Sequence, residues 1–175
     1  MSEYNLNTAN INEWVTTLNA GDRILLSGTV YTARDAAHKR ISQMIEKEEA
    51  LPFNLSGSVV YFAGPTPAKD GLAIGSIGPT TSSRMDKFSP LMISCGQKAM
   101  IGKGARSADV VNAMVEHGAV YFAAIGGAGA LYSKCVTECQ VIAFEELGCE
   151  SVKKLTVENF PLLVAIDSKG NSIYK

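Results

Sequence analysis

The sequence lacks a concentration of charge of either sign. Its 16 lysines and arginines are balanced by 17 acidic residues, which gives a net charge of −1, and like charges form no run. Because phosphate backbones and anionic membranes are bound by basic stripes, we expect neither a nucleic acid nor a membrane as partner. The longest apolar runs are about ten residues or fewer, whereas a spanning helix needs about 20. The polar start, MSEYNLNTAN, is unlike a signal peptide, so we expect a cytoplasmic protein.

The chain is also poor in metal-ligating patterns. Its four cysteines are Cys95, Cys135, Cys139 and Cys149. They form no C-x-x-C pair, so the sequence encodes neither a zinc site nor a ferredoxin-like cluster. Cys135 and Cys139 are spaced to share a helix face, but we expect all four to be small buried hydrophobes in a reducing compartment. The two histidines, His38 and His117, are too few for a His-based triad or metal site, so we predict no metal in this chain.

Two glycine-containing segments fail the tests for nucleotide-binding loops. For MIGKG, residues 100–104, to be part of a Walker A loop, glycine would have to stand at Gln97 and serine or threonine at Gly104. The segment AIGGAGA, residues 124–130, lacks the G-x-G-x-x-G spacing. We expect its glycines to permit close packing or to form another helix-terminal nest.

The hydrophobic pattern predicts one domain over residues 1–175, a length that buries roughly 70% of the unfolded surface. We predict helices over 8–19, 33–47, 85–94 and 107–117, the last with Ser107 as N-cap and Gly118 as C-terminal glycine. Strands are predicted over 23–31, 57–63, 72–78, 98–102, 119–127, 136–144, 151–158 and 162–166, followed by a hairpin turn at 168–171. This order indicates an α/β fold whose mixed sheet is not regularly doubly wound.

The segment GPTTSSRMD, residues 78–86, is the strongest candidate for an anion site. If a helix begins near Ser82 or Ser83, free backbone N–H groups and the positive end of the helix dipole lie beside the hydroxyls of Thr80 and Thr81. Arg84 adds a planar fork that matches a carboxylate or phosphate. The alternative is that Ser83 and Asp86 form a capping box and the rest is a turn.

Two further cations are candidates for the same chemistry. Arg34, in TARDAAHKR, falls where a strand passes into a helix, although it could instead form a surface ion pair with Asp35 or a neighbour. Lys103 lies between two glycines in MIGKG, where the backbone can approach a ligand closely. An exposed lysine on a tight turn explains that segment equally well.

Six segments together resemble a known family. They are GTVYTARDAAHKR, YFAGPTP, GPTTSSRMD, MIGKG, AVYFAAIGGAGAL and ELGCESVKKLTVENFPLLVAIDSKGNS. In this order they are similar to the C-terminal domain, or β subunit, of the class I iron–sulfur fumarases and L(+)-tartrate dehydratases, over residues 20–175. The resemblance implies a swivelling β/β/α domain that closes over a [4Fe–4S] cluster held by the cysteines of a separate α subunit. A β subunit of that family would itself lack cluster-spaced cysteines.

The resemblance also implies roles for individual residues. Arg34, Arg84 and Lys103 would bind the carboxylates of a C4 dicarboxylate, and Thr81 would support the substrate or the base. Thr80 would be the candidate base for the C3 proton, activated by an α-subunit carboxylate because a threonine hydroxyl is too weak an acid alone. The cluster's open iron would act as Lewis acid on the leaving hydroxyl.

The resemblance leaves substrate and assembly open. The segments TARDAAH and RMD are more similar to fumarases, which favours fumarate over tartrate, and mesaconate stays an alternative because one methyl group changes binding by only about 1 to 3 kcal/mol. We expect a hetero-oligomer with the α subunit. Apolar surface normally covered by that subunit would favour a homodimer of the isolated chain. The alternative from another class is a dicarboxylate-binding module that performs no chemistry.

Overall fold

The computed structural model describes residues 2–174 and contains one seven-stranded mixed sheet. Its strands are β1 (Glu3–Asn7), β2 (Arg23–Thr32), β3 (Val59–Tyr61), β4 (Ala99–Gly102), β5 (Val120–Ala123), β6 (Val136–Ala143) and β7 (Val152–Ile166). Its helices are α1 (Ile11–Trp14), α2 (Asp35–Glu46), α3 (Ser89–Ser94), α4 (Ala108–His117) and α5 (Gly129–Ser133). Short 3₁₀ turns occupy Thr8–Asn10, Ser82–Met85 and Glu145–Glu150.

Five strands of the sheet close into a barrel. Strands β2, β3, β4 and β5 are parallel neighbours, and the long strand β7 runs antiparallel between β5 and β2. The remaining strands extend the sheet, because β1 pairs in parallel with β2 and β6 pairs antiparallel with β7. Closure leaves the five barrel strands without a free edge, which removes a route to edge-to-edge association. The prediction of an α/β fold with a mixed sheet that is not doubly wound is therefore confirmed.

The short parallel strands are buried on both faces, which explains their continuous apolar sequences. Along β3 and β4, Val59, Tyr61 and Ile101 belong to the cluster that fills the barrel. The alternating residues Val60 and Met100 belong to a second cluster, which covers the outer surface. Helices α2, α3 and α4 contribute to that second cluster, so they flank the barrel from outside.

The structure corrects several predicted elements. The predicted helix over 8–19 is a 3₁₀ turn followed by one helical turn, Ile11–Trp14, and β1 before it was not predicted. The predicted strand over 72–78 is irregular, because Ile74 and Ile77 are buried there without joining a ladder. The predicted helix over 85–94 begins only at Ser89. The two strands predicted over 151–158 and 162–166 are one strand, β7.

The cysteines differ most from their predicted environment. Cys95 and Cys149 are exposed, while Cys135 and Cys139 are half-buried, so the prediction of four buried cysteines is wrong. The shared helix face is also wrong, because Cys135 follows α5 and Cys139 lies in β6. Burial raises the pKa of both half-buried thiols. Between Ser2 and Tyr174, no helix combines the length and apolar character that crossing a membrane requires.

Candidate functional site

The predicted site residues lie at the carboxyl ends of the parallel barrel strands. Arg34 follows β2 and Lys103 follows β4. Thr80 is tied to the end of β3, because its N–H donates to the carbonyl oxygen of Phe62 at 2.7 Å. In α/β proteins the loops at the carboxyl ends of parallel strands commonly form the ligand site. The fold thus collects three separate segments of the chain at one end of the barrel.

Several backbone N–H groups of the segment 78–86 form hydrogen bonds with carbonyl oxygens of the chain. The N–H of Ser82 donates to the carbonyl oxygen of Lys103 at 3.0 Å, and the N–H of Asp86 donates to the carbonyl oxygen of Ser83 at 3.2 Å. The helix expected here is only the 3₁₀ turn Ser82–Met85, without a side-chain cap. The N–H groups of Thr80, Ser82 and Arg84 are therefore bonded to carbonyl oxygens of the chain itself, and the predicted anion site depends on the remaining donors of this segment.

The capping-box alternative is also wrong. Both carboxylate oxygens of Asp86 accept hydrogen bonds from another segment: Oδ1 from Nε of Arg106 and Oδ2 from the N–H of Ser107, each at 2.7 Å. Ser83 is exposed and takes no part in this arrangement. Asp86 therefore links the motif to the segment that follows Lys103.

Arg34 and Arg84 line one cleft of about 450 Å³. Its lining consists of Arg34, Asp35, Ala36, Lys39, Arg84, Lys87, Phe88 and Glu150. Four of these side chains are basic and two are acidic, which leaves an excess of two positive charges. Fixed cations offset the large desolvation cost of a bound dianion. The cleft is thus matched in charge to a dicarboxylate.

Arg34 is held in place by carboxylates of its own chain. Its Nε lies 3.2 Å from Oε1 of Glu150, and its Nη2 lies 3.9 Å from Oδ2 of Asp35. The surface ion pair and the cleft position, offered as alternatives from the sequence, therefore occur together. An alanine at Gly64 would place its Cβ 3.1 Å from Arg34 Cδ, so the bare glycine lets the arginine side chain lie over the backbone. Arg34 is therefore both ion-paired and part of the cleft lining.

Lys103 and Thr81 are neighbours through their backbones, which form an isolated parallel bridge. Both residues are exposed. A Cβ added at Gly126 would lie 3.6 Å from Lys103 Cδ, which places the glycine-rich loop after β5 beside the lysine side chain. The close packing expected of that loop is present at Gly129, whose added Cβ would meet the N–H of Gly78 at 3.0 Å.

Unlike Arg34, the other four predicted site residues have polar ends without a competing partner in the described part of the chain. Across residues 2–174, the hydroxyls of Thr80 and Thr81 form no hydrogen bond, and Arg84 and Lys103 pair with no carboxylate. These groups are available to a ligand. The lining of the Arg34–Arg84 cleft does not include Thr80, Thr81 or Lys103, which lie at the same end of the barrel.

The sequence analysis did not identify Arg106, which contacts the segment 78–86 through Asp86. Its side chain is completely buried and bonds Asp86 and Ser89. No local pattern marks this pairing, because the partners lie 20 and 17 positions away in the chain. The lining residues Lys39, Lys87 and Glu150 were also not predicted, because the charges that share a cleft are determined by the fold.

The described part of the chain offers no ready position for a metal. Among residues 2–174, no three His, Cys, Asp or Glu side chains come together in a way that could hold an ion. The donor set therefore does not fit an iron–sulfur cluster on this chain, and we derive no step that uses one here.

The chain as a whole is similar in sequence to known proteins. A family model described as "Fumarase C-terminus" matches residues 1–175. The chain belongs to this fumarase C-terminal family. The resemblance inferred from the sequence motifs is therefore confirmed.

The relatives fall into two kinds. "Fumarate hydratase 2" of Leishmania major is 42% identical over 88% of this chain, and "Fumarate hydratase class I, aerobic" of Escherichia coli K12 is 36% identical over 87%. This chain spans only 28% of the length of either protein. "Putative L(+)-tartrate dehydratase subunit beta" of Methanocaldococcus jannaschii is 43% identical over 90% of this chain and is itself covered to 84%.

Proposed function

We propose that this chain is the β subunit of a two-chain iron–sulfur hydro-lyase, a fumarate hydratase that interconverts fumarate and L-malate. The observation that carries the proposal is the cleft in which Arg34 and Arg84 meet with an excess of two positive charges. Family membership supports the reaction class. The relative of similar length, named as a beta subunit, supports a separate partner chain.

In this proposal Arg34, Arg84 and Lys103 bind the two carboxylates of a C4 dicarboxylate. Each guanidinium can donate two parallel hydrogen bonds to one carboxylate, which orients the substrate as well as neutralising it. Thr81, whose backbone is paired with Lys103, supports the substrate or the base. Fixed orientation lowers the barrier because the reacting groups need not find each other by diffusion.

Thr80 is the candidate base. In the dehydration direction it accepts the proton from C3 while hydroxide leaves C2, and in hydration the proton returns to C3 as water supplies the hydroxyl at C2. Its hydroxyl must be activated by a neighbouring base. Within residues 2–174 no carboxylate or imidazole bonds that hydroxyl, so we assign the activating carboxylate to the partner α subunit.

The partner α subunit carries the [4Fe–4S] cluster, which supplies Lewis-acid chemistry when bound there. We treat residues 1–175 as one domain, because β1 pairs with β2 and the end of the chain returns to β7 through Ile166 and Ser172. That domain swivels over the partner as a β/β/α unit to close the site. We place the enzyme in the cytoplasm, where unpaired cysteines such as exposed Cys95 stay reduced.

The second candidate substrate is L(+)-tartrate, favoured by the relative whose length matches this chain. Mesaconate, a methylated fumarate, has the same two carboxylates for Arg34 and Arg84 to bind. The other class of function, a dicarboxylate-binding module without chemistry, uses the same cleft and is separated from the enzyme by experiment.

The first test is an anaerobic pull-down of this chain from its native extract, with ferrous iron and sulfide added to the eluate. Assays with fumarate, L(+)-tartrate and mesaconate then compare the three acids. We expect a cysteine-rich partner and iron-dependent hydration of fumarate. Turnover of another acid alone would refute the fumarate assignment, and dicarboxylate binding by a lone chain without turnover would refute the enzyme.

Two substitutions separate the proposed roles. Thr80→Ala is expected to lower kcat about 100-fold or more with little change in KM, because only proton transfer is lost. Arg84→Ala is expected to raise KM as well, because it removes a carboxylate contact. Ser83→Ala, in the same exposed loop, is the control that should leave both constants unchanged. Equal and mild effects of Thr80→Ala and Arg84→Ala would contradict the assignment.

A further inference from the structure

We propose that Arg106 is a positioning residue that holds Arg84 in the substrate cleft, acting through Asp86. This inference rests on the proposed function, because it gives the cleft arginine a support that the substrate never contacts. Arg106 lies three residues after Lys103, in the loop that joins β4 to α4.

The guanidinium of Arg106 is enclosed by partners. Its side chain has 0% exposure, its Nε donates to Oδ1 of Asp86 at 2.7 Å, and its Nη2 donates to Oγ of Ser89 at 2.7 Å. The cation lies 5.2 Å from the ring centre of Phe62 and 5.0 Å from that of Tyr121, so two aromatic rings contact its faces. No part of it reaches the cleft that Arg84 lines.

The two acceptors lie just past Arg84. Asp86 is the residue at which the 3₁₀ turn Ser82–Met85 ends, and Ser89 is the first residue of α3. The second oxygen of Asp86 accepts the N–H of Ser107 at 2.7 Å, so both oxygens are bonded to the loop after β4. Arg106 and Asp86 therefore fix the C-terminal side of the turn that carries Arg84, while the Ser82–Lys103 bonds fix its N-terminal side.

Arg84 itself gains nothing from ion pairs, because no carboxylate of residues 2–174 contacts it. Its backbone position is then the means by which the protein controls where the guanidinium points. A lysine at 106 would keep the charge but could not bond Asp86 and Ser89 with one planar fork or stack between two rings. The largely buried carboxylate of Asp86 would then lose a hydrogen-bonded partner, so Asp86 would move toward solvent and displace the turn.

The test uses the enzyme assembled with its partner subunit. Arg106→Lys and Asp86→Asn are each expected to raise KM for the dicarboxylate about tenfold, in the direction expected of Arg84→Ala. In an Arg84→Ala background, adding Arg106→Lys should leave KM unchanged, because the residue it positions is gone. An additional tenfold rise in the double variant would overturn the proposal.

Loss of stability alone is controlled by Val157→Ala, which truncates a buried core residue in β7, away from the motif. It should lower Tm without changing KM. An Arg106→Lys enzyme that behaves like this control would overturn the positioning role and leave Arg106 a structural residue.

A readout independent of turnover is hydrogen exchange in the same assembled preparation. Arg106→Lys should speed exchange of the amides of Arg84 and Asp86 by on the order of tenfold and leave the amide of Val164 in β7 unchanged. Unchanged exchange at all three amides would refute the positioning role. If the wild-type enzyme turns over none of the three acids, the proposed function fails, and exchange alone then decides the role of Arg106.

Discussion

Ser82 and Lys103 are joined by two hydrogen bonds. The N–H of Ser82 donates to the carbonyl oxygen of Lys103 at 3.0 Å, and the N–H of Lys103 donates to the Oγ of Ser82 at 3.1 Å. The same Oγ lies 2.8 Å from the hydroxyl of Tyr121. The reciprocal bonds set the register between the hydroxyl-rich loop and the end of β4, so the backbone fixes the spacing of Thr80, Arg84 and Lys103.

Gly102→Ala tests this register. An alanine Cβ at 102 would overlap the Oγ of Ser82 and lie 3.0 Å from Phe62 Cδ2, so Ser82 would be forced away from Lys103. We expect a loss of about 1–3 kcal/mol in the free energy of unfolding, measured by urea denaturation. We also expect lower turnover in the assembled enzyme.

The matched control is Gly126→Ala, because a Cβ there meets only the Lys103 side chain at 3.6 and 3.8 Å, which is ordinary contact. Its free energy of unfolding should stay within about 0.5 kcal/mol of wild type. Equal losses in the two variants would mean that glycine flexibility, rather than the space beside Ser82, governs this region.

Tyr121→Phe removes a hydroxyl that contacts two loops, the hydroxyl-rich loop at Ser82 and the loop after β4 at Gly104. That hydroxyl donates to the carbonyl oxygen of Gly104 at 2.9 Å and contacts Ser82 Oγ, and burial raises its pKa, so it stays protonated. Loss of the buried hydroxyl should lower the free energy of unfolding by about 1–3 kcal/mol. Tyr31→Phe is the control, because within residues 2–174 its hydroxyl has no hydrogen bond. A smaller loss in Tyr121→Phe than in Tyr31→Phe would contradict this account.

Lys153→Met tests a second buried cation, which holds the loop that carries Glu150. Its Nζ donates to the carbonyl oxygens of Gly148, Cys149 and Ser151 at 3.2 to 3.3 Å, and burial lowers its pKa. We expect a loss of about 2 kcal/mol, because three carbonyls lose a charged donor and that of Cys149 keeps no other hydrogen bond within residues 2–174. Thermal unfolding of Lys153→Met is compared with that of Lys154→Met, whose side chain is exposed. Equal melting temperatures for both variants would refute the role of Lys153.

The helices and short strands that position the site were predictable from local pattern. Helix α4 begins with Ser107, whose Oγ accepts the N–H of Val110 at 3.5 Å, and ends at Gly118 with φ of 62°, as its sequence indicated. The buried strands β3, β4 and β5 follow from short apolar runs between turn residues. The placement of Arg34 and Lys103 at strand ends followed from these boundaries.

The closure of the barrel and the contact between Arg106 and Asp86 could not be predicted from local sequence. Two strands were predicted, over 151–158 and 162–166, but β7 is continuous. Its partner on one side changes from β6, last paired at Val157, to β5, first paired at Leu163. Arg106 and Asp86 meet only through the folded chain. Local periodicity carries no signal for such long-range pairs, so the sequence suggested the residues proposed to bind the ligand but not the contact between Arg106 and Asp86.

Stability should fall with acid because of His38. Burial lowers the pKa of His38 to about 4, and the nearby charge of Arg106 acts in the same direction. Its Nδ1 bonds the carbonyl oxygen of Arg34 at 2.9 Å, and its ring packs on Phe62 at 5.2 Å. The folded protein therefore holds this imidazole neutral.

The difference in proton binding between the folded and unfolded chain decides how the free energy of unfolding changes with pH. Between the ordinary pKa of 6.5 and the folded value of about 4, the unfolded chain binds the extra proton and the folded chain does not. The free energy of unfolding is therefore highest above pH 6.5 and falls by roughly 3 kcal/mol as the pH drops toward 4. Asp22 contributes in a lower window, because the N–H of Ser2 holds the pKa of its carboxyl below the ordinary 3.8.

Urea denaturation of wild type and His38→Gln between pH 7 and pH 4 separates the histidine from the carboxylates. Both proteins should share the carboxylate contribution, whereas only the wild type should lose the additional roughly 3 kcal/mol between pH 6.5 and 4. His117→Gln is the control, because the His117 side chain is partly exposed and its replacement should leave the wild-type slope in place. A slope in His38→Gln equal to that of wild type would show that His38 binds its proton without unfolding, and would assign the acid sensitivity to other groups.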